Sequence, residues 1–185
     1  MAADSETAVY RVPVRLILNP TDLGTAPAYG GTQLGIAGVS VLTIHYPRRA
    51  VVAEEFGEVA DVVRGGPYVS LTTIMRQWDA DAIGLIWPST STGSSTGDKV
   101  IDIPGSARAG SLLSASSCKI LGVPRDLRAD RPSFLLYKAL PLVSEQAELR
   151  FAVGTELAVQ VSVFQGIRDS SARILKVGQL ADLSL

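Results

Sequence analysis

Apolar residues in this chain recur at every second position, in short runs punctuated by glycine and proline. Successive side chains of a strand point to opposite faces, so a period of two gives each run one apolar face to bury. In residues 11–18, Val12, Val14, Leu16 and Leu18 fall on one face, and Pro13, with no N–H to donate, places the run at a sheet edge or a strand start. In residues 157–164, Leu157, Val159, Val161 and Val163 share a face. Further strands are expected over 39–46, 49–54, 59–64, 68–74, 100–103, within 112–123, and over 134–143, 148–153 and 172–177. The block 39–74, with turn chemistry at Gly57 and Gly65-Gly66, reads as a meander of sequentially paired antiparallel strands. The segment 134–143 is apolar enough to be central.

One helix is expected, over 79–87. Asp79 is a suitable N-cap, Ala82, Ile83, Ile86 and Trp87 recur at helical spacing, and Pro88 stops it. So short a helix needs a sheet to pack against. The fold class is therefore mainly β: an antiparallel β-sandwich or barrel with one short packed α-helix and long loops, in a single domain over 1–185. Residues 1–10 read as a flexible N-terminal arm. Residues 88–98, almost all Ser, Thr and Gly, read as an exposed mobile loop. Residues 19–38 read as a long loop with turn punctuation at Asn19-Pro20, Gly24, Pro27 and Gly30-Gly31. Leu23, Tyr29, Leu34 and Ile36 lie within it, and a purely solvated loop has no use for them, so a contact arm is favoured there.

Little in the chain suits catalysis. There is one histidine, His45, and one cysteine, Cys118, in 185 residues. His45 reads as a hydrogen-bonded strand residue and Cys118 as a small buried hydrophobe without a setting that lowers its pKa. No Gly-x-Ser-x-Gly elbow or phosphate loop occurs, and metal ligands at binding spacing are lacking, so no catalytic, cofactor or metal residue is assigned. Charged residues make up 19% of the chain and the net charge is −1, which leaves no electrostatic footprint for nucleic acid. No run is long enough to span a membrane, and the acidic, polar start is unlike a secretory signal. A single cysteine fits a reducing compartment, so folding in a cytoplasm is expected. Glu54, Glu55, Glu58 and Asp61 form an acidic cluster, read either as a solvated hairpin end or as a negative patch inside an assembly.

The segment 58–74, Glu-Val-Ala-Asp-Val-Val-Arg-Gly-Gly-Pro-Tyr-Val-Ser-Leu-Thr-Thr-Ile, followed by Gln77-Trp78-Asp79-Ala80-Asp81-Ala82-Ile83-Gly84-Leu85-Ile86-Trp87, resembles tail tube proteins of long-tailed bacteriophages. Asn19-Pro20-Thr21-Asp22-Leu23, Gly30-Gly31-Thr32-Gln33-Leu34-Gly35 and Lys176-Val177-Gly178-Gln179-Leu180 are similar to segments of virion structural proteins from such phages. The resemblance implies a virion protomer that forms hexameric rings stacked into a tube. DNA would be a passing, non-specific cargo, other virion proteins would be partners, and assembly would take place in the host cytoplasm. It implies that 19–38, with Leu23, Tyr29, Leu34 and Ile36, makes inter-ring contacts, that 1–10 is a terminal arm, and that Glu54, Glu55, Glu58 and Asp61 face the lumen. Head decoration, neck and baseplate adaptor proteins are the alternatives within a virion. A ligand-binding β-sandwich is the alternative outside one.

Overall fold

The computed structural model describes residues 14–24, 26, 29–34, 37–52, 59–75, 91–95, 98–102, 113–125, 132–142 and 160–185. In chain order its strands are β1 (Val14–Leu18), β2 (Thr32–Gln33), β3 (Ala37–His45), β4 (Arg48–Val52), β5 (Val59–Arg64), β6 (Tyr68–Met75), β7 (Ser91–Ser95), β8 (Asp98–Asp102), β9 (Cys118–Pro124), β10 (Ser133–Leu142), β11 (Gln160–Gly166) and β12 (Leu175–Gly178). Two short 3-10 helices, Leu113–Ser116 and Leu180–Asp182, are the helical elements among the described residues. The chain is thus mainly β, and its sheets are antiparallel. The helix expected over 79–87, the strand expected over 148–153 and the arm expected over 1–10 lie outside the described residues.

Eight strands form one sheet in the order β2-β1-β9-β10-β11-β6-β3, with β12 also paired to β10. The sheet curls until β1 approaches β3, and the enclosed face holds a core that includes Leu16, Leu18, Leu42, Leu71, Ile120, Phe134, Leu136 and Phe164. Each fully buried side chain of this kind contributes about 1.5–3 kcal/mol. A second core lies on the opposite face of β1, β9 and β10. There Ile17, Leu121, Val123, Leu135 and Tyr137 meet Tyr29 and Leu183, with Leu180 and Leu185 packed alongside. Strands buried on both faces need apolar residues at odd and even positions alike, so Leu16-Ile17-Leu18 and Phe134-Leu135-Leu136 are unbroken apolar runs. Pro141 sits in β10 opposite Phe164 of β11, beyond the last β9 pairing at Ala139, where its missing N–H costs no ladder bond.

Two buried groups in the first core are handled by local chemistry. Ser40 of β3 and Thr73 of β6 face each other in register, and their hydroxyls hydrogen-bond at 2.9 Å. The Cys118 thiol donates weakly to the Ala139 carbonyl at 3.8 Å, and burial pushes its pKa up to about 12. The folded chain keeps the thiol neutral, so the Cys118 contribution to stability is complete below the ordinary thiol range and falls as pH rises from there towards 12. Native protein is accordingly expected to resist a thiol reagent at mildly alkaline pH and to label fully in denaturant. Rapid labelling of the folded chain would contradict the burial.

The structure corrects several expectations. In β11 the residue that fills the first core is Phe164, and Val163, expected on the buried face, points to the other face and is half-buried. The Ser/Thr/Gly tract 88–98 is not simply a loop, because Ser91–Ser95 forms β7, paired with β8 from Ser91↔Asp102 to Ser95↔Asp98. Ladder hydrogen bonds there satisfy the backbone without any apolar side chain, and threonine favours extended structure. The block 39–74 is not a sequential meander. β3 pairs with β6, and β4 with β5 lies nested between them.

The segment 19–38 is also not a free arm. Asn19 leaves β1 with φ of 49°, its N–H donating to the Lys119 carbonyl at 2.7 Å and its Oδ1 accepting from the Lys119 N–H at 2.9 Å. The Thr21 and Asp22 amides both donate to the Tyr29 carbonyl, and the Thr21 hydroxyl donates to the Gly30 carbonyl. Gly30, with φ of 67°, has no room for a Cβ, which would strike the Thr21 hydroxyl. The chain then returns as β2 along β1, so the described part of the segment is tied to its own domain.

Candidate interaction surface

The His45↔Tyr68, Arg48↔Arg64 and Val52↔Val59 pairings place β3–β4 and β5–β6 on the two sides of one long antiparallel ribbon. Its inner half belongs to the main sheet. Its outer half, β4–β5, forms a separate two-stranded sheet. Pro47 on one side and Gly65-Gly66-Pro67 on the other lie across from each other where the halves join. The Gly65 N–H donates to the Pro47 carbonyl at 2.7 Å, and a Cβ on Gly65 would come within 2.8 Å of the Pro47 ring. A residue with a side chain does not fit that crossing, which makes the glycine the joint between sheet and arm.

Every β4–β5 residue with a described side chain is exposed. Val62 and Val63 are each 53% exposed and Val51 44%, and these belong to the large apolar side chains left in water. Register puts Arg49, Val51, Asp61 and Val63 on one face and Arg48, Ala50, Val62 and Arg64 on the other. Both faces thus mix valine with charge. A projecting ribbon with uncovered valines is the kind of surface that marks a binding site for another macromolecule.

At the root of the arm lies a cleft of ≈ 430 Å³. One wall is Ile44, Tyr46, Pro67 and Val69 from the ribbon; the other is Tyr137 of β10 and residues 172–176, which lead into β12. The second wall is built around Asp169. Its Oδ1 accepts from the Ser171 N–H at 2.9 Å and the Arg173 N–H at 2.7 Å, and its Oδ2 takes the Arg173 Nε at 2.9 Å and Nη2 at 2.8 Å. Desolvation raises the Asp169 pKa, yet these hydrogen bonds and the Arg173 charge outweigh it and hold the carboxyl below its ordinary range. The ion pair holds Arg173 over the Tyr137 ring, its Cζ 4.0 Å from the centroid. Ala172 adopts φ of 60° to make the turn.

The surroundings of the cleft are basic. Arg173 and Lys176 line it, and no lining residue is acidic. Arg64 lies 5.8 Å from the centroid of the Tyr46 ring, and the Arg168 guanidinium reaches within 3.9 Å of where Gly66 would carry a Cβ. Apolar walls, two tyrosines and this set of cations suit an apolar or aromatic group flanked by negative charge.

The residues expected to make contacts fall elsewhere. Tyr29 is 2% exposed in the second core and Leu34 is fully buried in the first, so neither is available to another copy, and Leu23 packs half-buried against the second core. Ile36, Glu54, Glu55 and Glu58 lie outside the described residues. Asp61 is exposed on β5, where its Oδ1 accepts the Val62 N–H at 2.6 Å. His45 is exposed at the end of β3, opposite Tyr68. Sequence reasoning missed the cleft because Tyr137 and Arg173 come together only through the pairing of β10 with β12. The chain matches no protein-family model and no curated protein.

Proposed function

We infer that this chain is a structural subunit that works by assembling with copies of itself, and that the assembly is the tail tube of a long-tailed bacteriophage. In that reading, hexameric rings stack along an axis and DNA passes through without being read. The observation that carries self-assembly is the β4–β5 ribbon. A two-stranded hairpin is marginal in water, and its exposed valines gain stability only when another surface covers them. A ribbon on one copy that meets a different surface on the next makes a heterologous contact, and such contacts close into rings or propagate as filaments. The tail tube itself is carried by the sequence resemblance over 58–87, and head decoration, neck and baseplate positions are its neighbours within a virion.

Electron microscopy of the purified, concentrated protein tests this. Six-fold rings and their stacks are expected. A monomer that persists at all concentrations by light scattering would overturn self-assembly, and a discrete trimer would move the reading to head decoration.

A further inference from the structure

The arm and the cleft at its root are complementary to each other. The six residues that join β4 to β5 are Ala53-Glu54-Glu55-Phe56-Gly57-Glu58, a single aromatic among three carboxylates. The cleft offers what such a segment lacks: apolar walls from Ile44, Val69 and Ile174 with Arg173 in its lining, and Arg64 and Arg168 beside it, near Tyr46 and Gly66. We propose that residues 53–58 of one copy seat in the arm-root cleft of the next, with Phe56 between the apolar walls and the three glutamates against the arginines.

The same chain cannot make this contact with itself. β4 and β5 stay paired from Arg48↔Arg64 to Val52↔Val59, and a strand rises about 3.3 Å per residue. Val59 is about 26 Å from Pro67 along the ribbon, and the stretch of chain from Val59 back to Phe56 spans at most about 11 Å, so Phe56 cannot reach its own cleft. Only another copy can bring residues 53–58 there, and each copy then gives one arm and receives one. That contact is heterologous and repeats, as an extended assembly requires. The proposal rests on the self-assembly reading and names the contact that produces it. It gives Glu54, Glu55 and Glu58 to a subunit boundary instead of a lumen.

Charge exchange in the full-length protein tests it. The tip variant carries Glu54→Lys, Glu55→Lys and Glu58→Lys; the cleft variant carries Arg64→Glu and Arg168→Glu, leaving the Asp169–Arg173 pair intact. Each variant alone is expected to raise the concentration needed for assembly by roughly tenfold or more, because like charges then meet. The chain carrying both sets restores opposite charge at Arg64 and Arg168, while Arg173 stays neutralised by Asp169, and it is expected to assemble at a concentration well below that of either single variant. Circular dichroism melts confirm that each variant folds. If wild type assembles and the tip variant assembles equally well, the docking proposal fails while self-assembly stands. If the doubly reversed chain stays dispersed, the tip acts on another surface and the proposal also fails. If wild type itself never assembles, both readings fall.

A second readout does not depend on charge. Because Cys118 is buried, Phe56→Cys with Ala172→Cys introduces the two reactive thiols of the chain. Oxidation is expected to give a ladder of disulfide-linked multimers on a non-reducing gel, and an absence of multimers from assembled protein would overturn the placement of Phe56.

Discussion

Gly122→Val is expected to unfold the domain or to lower its stability by about 3 kcal/mol or more, at the upper end of the range for overpacking a core. Gly122 of β9 lies directly opposite Phe134 of β10, and the Phe134 ring lies across it. A Cβ on Gly122 would fall on the Phe134 ring atoms Cδ1, Cε1 and Cζ. Phe134 is 2% exposed and belongs to the first core, so the ring has no open space to move into. Urea denaturation measures the loss. The cause is isolated by pairing Gly122→Ala with Phe134→Leu, which should cost clearly less than the two single changes together, since removing the ring removes the clash. A Gly122→Val protein within about 1 kcal/mol of wild type would mean that ring and glycine do not share this space.

Leu34→Asp is expected to be comparably severe, and it separates two views of the segment 19–38. Leu34 is fully buried in the first core, and its N–H donates to the Leu16 carbonyl at 2.8 Å. An unpaired carboxylate at that point forfeits the apolar contacts and is costly to desolvate, a loss of several kcal/mol. The variant should therefore fail to fold, with collapse of the near-ultraviolet circular dichroism signal. A contact arm makes the opposite forecast: a well-folded subunit that no longer assembles. Recovery of such a folded, non-assembling protein would return Leu34 to the subunit surface.

What the sequence made legible, and what it hid, follows from the scale of each effect. β5 and β6 begin at the expected residues, Val59 and Tyr68, and β5 also ends as expected at Arg64, where glycine and proline take over. The central place of β10 followed from an apolar run that only two-sided burial explains. The nested ribbon did not follow, because Pro47 and Gly65-Gly66-Pro67 carry the chemistry of reversing turns. They lie opposite each other instead and divide the ribbon between two sheets, which is a property of the pairing and invisible along the chain. The inner face of β11 was hidden for a similar reason. Val161 and Val163 alternate well in the sequence, yet the face of β11 on the first core is the one that carries Phe164. Tyr29 and Leu34 were rightly read as needing burial; what periodicity does not supply is whether the covering surface belongs to the same molecule. The Asp169–Arg173–Tyr137 arrangement needs a turn, an ion pair and a distant strand at once, so no local pattern announces it.

The order of the sheet also sets a schedule for the nascent polypeptide. Val14–Leu18 meets the nearby β2 only at Ile17 and Leu18 and finds a partner along its whole length in Cys118–Pro124, as in the Leu18↔Ile120 pair, so about a hundred residues must leave the ribosome before the first strand can be fully stitched in. The nested ribbon from Ala37 to Met75, by contrast, is local and able to form early. The apparatus assigned here to joining copies would thus be presented before the body that anchors it is finished. Under the self-assembly proposal, premature association between half-made chains is the hazard that this ordering creates.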